Sequence, residues 1–98
     1  MLPRNREELV RYLEKNPELT LFHPGIGRQK PYTEKRTFMF CKGGRITFKD
    51  SEGRLVTIIA PVKDYRFRDD GFEIVFEGFG MFCLNGRKNL NMFYRYEN

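Results

Sequence analysis

Tryptophan is absent from this chain; alanine occurs once, at Ala60, histidine once, at His23, and cysteine twice, at Cys41 and Cys83. A single alanine argues against a mostly helical protein, because the strongest helix former is nearly missing. One histidine and two cysteines, without a Cys-x-x-Cys spacing, do not make up a usual zinc ligand set, so no metal is expected. No apolar run approaches the ~20 residues a membrane-crossing helix needs, and the opening Met-Leu-Pro-Arg-Asn-Arg-Glu-Glu is too charged for a secretory signal. The expectation is a cytoplasmic protein whose two cysteines are free, buried thiols.

What is present is aromatic and basic. The 98 residues, read as a single domain 1–98, include ten phenylalanines and five tyrosines, so large rings must supply much of the core. Eighteen Lys and Arg against thirteen Asp and Glu leave a net charge of +5, which favours anionic partners through long-range attraction.

Asn5 followed by Glu8 has the form of a capping box, and Leu9, Val10 and Leu13 make a narrow apolar stripe, which predicts a helix over 5–16 ending at Asn16-Pro17. Leu19 to Phe22 suits a short strand. Residues 23–35 then hold Pro24, Gly25, Gly27 and Pro31 among Arg28, Lys30 and Lys35, and read as a basic loop. Within it, Gly25-Ile26-Gly27-Arg28 has amides and a guanidinium suited to a phosphate but lacks the following helix of phosphate loops, while Tyr32 would add a stacking ring.

From 36 to 97 the chain alternates apolar and polar residues between turn signals, the pattern of antiparallel β hairpins. Gly43-Gly44 would set Cys41 opposite Ile46 and Met39 opposite Phe48; Ser51-Glu52-Gly53 would set Phe48 opposite Val56 and Asp50 opposite Arg54. Asp70-Gly71 would place Tyr65 and Phe67 against Phe76 and Ile74, with Arg68 against Glu73; Asn85-Gly86 would join a strand from Phe79 to Leu84 with one after Asn89. The expected fold is α+β: an N-terminal helix followed by a twisted antiparallel sheet or small partly open barrel of five to six strands. Ile46, Phe48, Val56, Ile58, Phe67, Ile74 and Phe76 are the expected core.

The opposite face, in these registers, carries Phe38, Phe40, Phe82 and Phe93 beside Arg36, Lys42, Arg45, Lys49 and Arg95. Stacking rings among cations are what single-stranded nucleic acid requires. The stretch Glu77-Gly78-Phe79-Gly80-Met81-Phe82-Cys83-Leu84 resembles the Gly-Phe-Gly core of the aromatic motif of RNA-recognition and cold-shock domains. It departs from that motif at Glu77, where a basic residue is usual, and at Met81, where a ring is usual. The hairpin order also differs from both families, so no family is assigned.

His23 has no Ser, Cys or Asp near it in sequence to complete a nucleophilic site; in the cluster Asp64, Asp69, Asp70, Glu73 and Glu77, Asp69-Asp70-Gly71 is explained by turn chemistry and Glu73 by pairing with Arg68. Neither an enzyme nor a cofactor is expected. The leading expectation is a non-enzymatic module binding single-stranded DNA or RNA through Arg28, Lys30, Tyr32, Arg36, Phe38, Phe40, Lys42, Arg45, Lys49, Phe82, Phe93 and Arg95. The second is a protein-interaction module, such as a phage-encoded inhibitor or adaptor, acting on a larger acidic or nucleic-acid-binding protein.

Overall fold

The computed structural model describes residues 2–58, 62–77 and 89–97. One helix, α1 (Arg6–Lys15), precedes seven strands: β1 (Glu18–His23), β2 (Tyr32–Lys42), β3 (Arg45–Lys49), β4 (Leu55–Thr57), β5 (Val62–Phe67), β6 (Gly71–Glu77) and β7 (Asn89–Tyr96). The fold is α+β, and the sheet is antiparallel, with order β4-β3-β2-β1-β7-β6-β5. Seven strands replace the expected five to six. The short stretch around Leu19 to Phe22 is the central strand, and β2 begins four residues earlier than anticipated, so the basic loop shrinks to 24–31.

α1 forms where its caps dictate. The Asn5 side chain accepts the Glu8 N–H at 2.9 Å, and Glu8 reaches back to the Arg4 N–H at 3.0 Å. The first satisfies a donor that the first helical turn leaves open, and the second ties the residue before the N-cap to that turn. At the other end Asn16 donates to the Tyr12 carbonyl and Pro17 stops the run. Leu9 and Leu13, one turn apart, are fully buried, and the Tyr12 ring meets that of Tyr96 at 4.7 Å. Arg6 crosses to the other side of the fold, donating to the Gly44 carbonyl and lying over the Tyr65 ring.

The sheet is strongly curled. Flat, its edge strands would lie six spacings apart, about 29 Å, yet β4 and β5 are joined through residues 58–61, which span at most about 18 Å. The interior shows the same curvature. Phe48 on β3 and Tyr94 on β7 have two strands between them but stack at 4.9 Å, and Phe72 on β6 stacks on the other face of Tyr94 at 5.0 Å. With Leu9, Leu13, Leu19, Leu21, Phe38, Ile46, Ile74, Phe76 and Leu90, these rings form the core on the concave face.

Of the expected core, Ile46, Phe48, Ile74 and Phe76 are buried, whereas Val56, Ile58 and Phe67 are half-buried because they lie on the edge strands or their flanks. Both glycine turns form as read. Gly43 and Gly44 each adopt positive φ, the requirement of a two-residue turn between Lys42 and Arg45, and Asp50 bonds Arg54 across the turn holding Gly53.

Two registers differ from expectation. A bulge at Met39 lets Phe38 face Phe48 and Phe40 face Thr47, so Met39 is exposed rather than inward. An extra residue on one strand reverses which side the following residues take. In the next hairpin Phe67 faces Phe72 and Tyr65 faces Ile74, a slip of two residues that keeps the same sides inward. The tighter turn brings Arg68 opposite Gly71, so its charge partner is Asp70 at 3.5 Å and Glu73 lies opposite Arg66. The expected strand from Phe79 to Leu84 lies outside the described residues; β7 pairs instead with β1 and β6.

Because Phe48 closes the ring stack from the β3 side, Phe48→Ala should lower unfolding free energy by about 3–5 kcal/mol. Urea denaturation followed by circular dichroism measures it, and a loss below about 1 kcal/mol would contradict this core.

Candidate binding surfaces

The curl divides the expected site into two. Residues 33, 35, 37, 40 and 42 of β2 take the convex side and 32, 34, 36 and 38 the concave side. Phe38 is therefore a core residue, 5% exposed, packed edge-on against Phe48. Arg36 is 9% exposed and faces inward, and Tyr32 stacks on His23 at 4.7 Å. The grouping of Phe38 and Arg36 with Phe40 on one face is thus incorrect, for the physical reason that the bulge at Met39 changes parity between them.

Phe40, by contrast, is 47% exposed on the convex side. It borders a shallow groove of about 440 Å³ with Lys42, Gly43, Arg45, Thr47 and Thr57. The Thr47 and Thr57 hydroxyls bond each other at 2.8 Å, tying edge strand β4 to β3 beneath the groove. Lys49 extends the basic row on β3. Among the described residues, no carboxylate pairs with Lys42, Arg45 or Lys49.

A second convex cluster is already self-satisfied. Phe22 and Phe93 sit 5.6 Å apart, Arg68 covers Phe93 at 4.3 Å and Arg95 covers Phe22 at 5.1 Å. Glu97 accepts from Thr20 and Arg95 and pairs with Lys35, and these hydrogen bonds hold its carboxyl below the usual range. Phe93, Arg95 and Lys35 are occupied by these intramolecular contacts. Arg28 and Lys30 are exposed on the 24–31 loop, away from Phe40 in the chain, and Phe82 lies outside the described residues.

The concave side holds what sequence reasoning missed. Beyond the ring stack lies a cavity of about 240 Å³ lined by His23, Ile26, Tyr32, Arg36, Val56, Thr57, Ile58, Phe76, Leu90, Met92 and Tyr94. Arg36 pairs through Nε with Glu34 at 2.8 Å. The Tyr94 side chain is fully buried and its hydroxyl has no hydrogen-bond partner among the described residues. Burial pushes that phenol well above its ordinary pKa. The alternation Tyr32, Glu34, Arg36, Phe38 was a readable signal for a polar patch on an inward face; its closure against Tyr94 was not. Among the described residues there is no group of three His, Cys, Asp or Glu placed to hold a metal, and Cys41 is a half-buried free thiol; Cys83 lies outside the described residues. Among the described residues no helix is long and apolar enough to cross a membrane.

His23 accepts the Gly25 N–H through Nδ1 at 2.9 Å, a bond that requires the neutral ring with its proton on Nε2. Burial first, and the Arg36 charge second, hold its pKa below the ordinary value. Below about pH 6.5 the unfolded chain therefore binds a proton that the folded state resists, so stability falls as pH drops. Urea denaturation between about pH 7.5 and 5.5 should show this loss, and His23→Gln should flatten it. An unchanged slope in the variant would mean that His23 is not the titrating group.

Comparison with protein-family models, with curated proteins and with solved structures finds no match, so the chemistry of these two surfaces is what speaks to function.

Proposed function

We propose that this protein is a non-enzymatic module that binds single-stranded nucleic acid on the convex face of the β2–β3 hairpin. The observation that carries the reading is Phe40, a large ring held exposed among Lys42, Arg45 and Lys49, none of which is neutralised by a described carboxylate. A ring exposed among cations is a stacking platform, and a nucleobase stacks on such a ring with about 1–3 kcal/mol. The three cations follow the phosphates, and the groove beside the ring offers Thr47 and Thr57 toward the sugar. Strand backbone carries all of these groups, so their spacing is set before the ligand arrives. The binding residues are accordingly Phe40, Lys42, Arg45 and Lys49, with Arg28 and Lys30 contributing attraction at longer range.

A protein partner is the second reading, favoured by β4. It is a three-residue edge strand with a single neighbour in the sheet, and Leu55 on it is largely exposed. An open strand edge beside an apolar residue is suited to strand addition. An acidic or nucleic-acid-binding protein would satisfy both that edge and the adjoining cations.

Fluorescence polarisation with labelled single strands at about 50 and 200 mM salt separates the two readings. Three phosphate contacts give a slope of about −2 in log affinity against log salt, and Lys42→Ala/Arg45→Ala/Lys49→Ala should abolish it. Phe40→Ala should cost about 1–3 kcal/mol of affinity with the slope and the melting temperature kept. Equal affinity in the triple variant and the parent would remove this face from nucleic-acid binding and leave the protein partner.

A further inference from the structure

The cavity on the concave face adjoins the Phe40 groove at Thr57 and has chemistry of its own. Its wall is mainly apolar, from Val56, Ile58, Phe76, Leu90 and Met92, and three residues that carry polar groups line it as well: Arg36, Tyr94 and His23. Each is a donor. Arg36 gives its Nε–H to Glu34, and among the described residues nothing takes the N–H groups of its two terminal nitrogens. His23 spends Nδ1 on the Gly25 amide, which leaves Nε2–H as its free polar edge. The Tyr94 hydroxyl lies wholly inside the protein with no described partner.

An unpartnered buried hydroxyl is destabilising, and the simplest remedy at this position is Phe, which would keep both ring stacks. Tyrosine here, on the same cavity wall as a guanidinium whose terminal N–H groups no described residue takes, is the arrangement of a site that awaits an acceptor. We propose that the cavity binds a small monocarboxylate with an apolar body, its oxygens taken by Arg36 and Tyr94 and its body lying against Ile58, Leu90 and Met92. A guanidinium fork suits a carboxylate in particular. Size sets the rest: a cavity of about 150 Å³ accepts benzene, so one of this volume accepts about ten heavy atoms, a ring or short chain plus the acid group. That is too small for a nucleotide. Ile26, on the loop that bears Arg28 and Lys30, lines the same cavity.

The test is isothermal titration calorimetry of the full chain with 3-phenylpropionate and with octanoate, each against its neutral alcohol. At least one acid should bind, and more than about tenfold tighter than its alcohol. The two acids distinguish a ring-shaped from a chain-shaped ligand. Tyr94→Phe should weaken the acid about tenfold while the melting temperature holds or rises, because the hydroxyl has no partner to lose in the free protein. Ile58→Phe, a half-buried position on the wall, should block binding by filling the space, and Phe40→Ala should leave the acid affinity unchanged. Absence of binding by either acid to the folded parent, equal binding of acid and alcohol, or unchanged affinity in Tyr94→Phe would each overturn the proposal.

Discussion

Three rings hold this fold in its shape. Phe48, Tyr94 and Phe72 stack across the interior, and the contact between the first two is possible only if a sheet of seven strands bends until β3 and β7 face each other. A flat sheet of this size would leave one face to solvent, and a single ten-residue helix could not cover it. Curling lets the sheet bury most of its own concave face, with α1 closing one end through Leu9 and Leu13. No residue of α1 lines the cavity.

The bulge at Met39 has an effect out of proportion to one residue. Before it, Phe38 belongs to the core; after it, Phe40 is exposed beside the cations of the hairpin tip. Without the extra residue, both would take the same side, and the protein would either expose two rings or bury a ring against Thr47. The bulge therefore allows a strand that begins as core to end as a presenting surface. The paired threonines on β3 and β4 hold that end of the sheet together where no large side chain does.

Charge is distributed according to the same division. On the convex side the cations nearest β7 are engaged by Glu97, whereas those at the β2–β3 tip are not engaged by any described acid. On the concave side a lone guanidinium is buried with Glu34 on one nitrogen, and the desolvated surroundings keep His23 neutral and the Tyr94 phenol protonated. An extended polyanion fits only the first environment, and a small apolar acid fits only the second. The two proposed sites differ in ligand because one is bordered by the cations of the hairpin tip and the other is lined mainly by apolar side chains.

Much of this was legible in the chain itself. Asn5 with Glu8, and Leu9 with Leu13, specify α1 through local hydrogen bonds and a one-turn repeat; Gly43-Gly44 and Gly53 specify their turns through positive φ; the period-two pattern marks the inward residues of β3 and β6. These are short-range properties, set by backbone sterics and by neighbours a few residues away. The pairing of β1 with β7 and the meeting of Arg36, His23 and Tyr94 at one cavity are not local. They depend on strands 70 or so residues apart in sequence adopting one register, which is settled by how the rings of β3, β6 and β7 pack against one another. Sequence by itself determined which residues are aromatic, which are basic and where the chain turns. Only the tertiary structure decided which rings are buried and which are presented, because burial is a property of the whole closed surface and not of any segment of it.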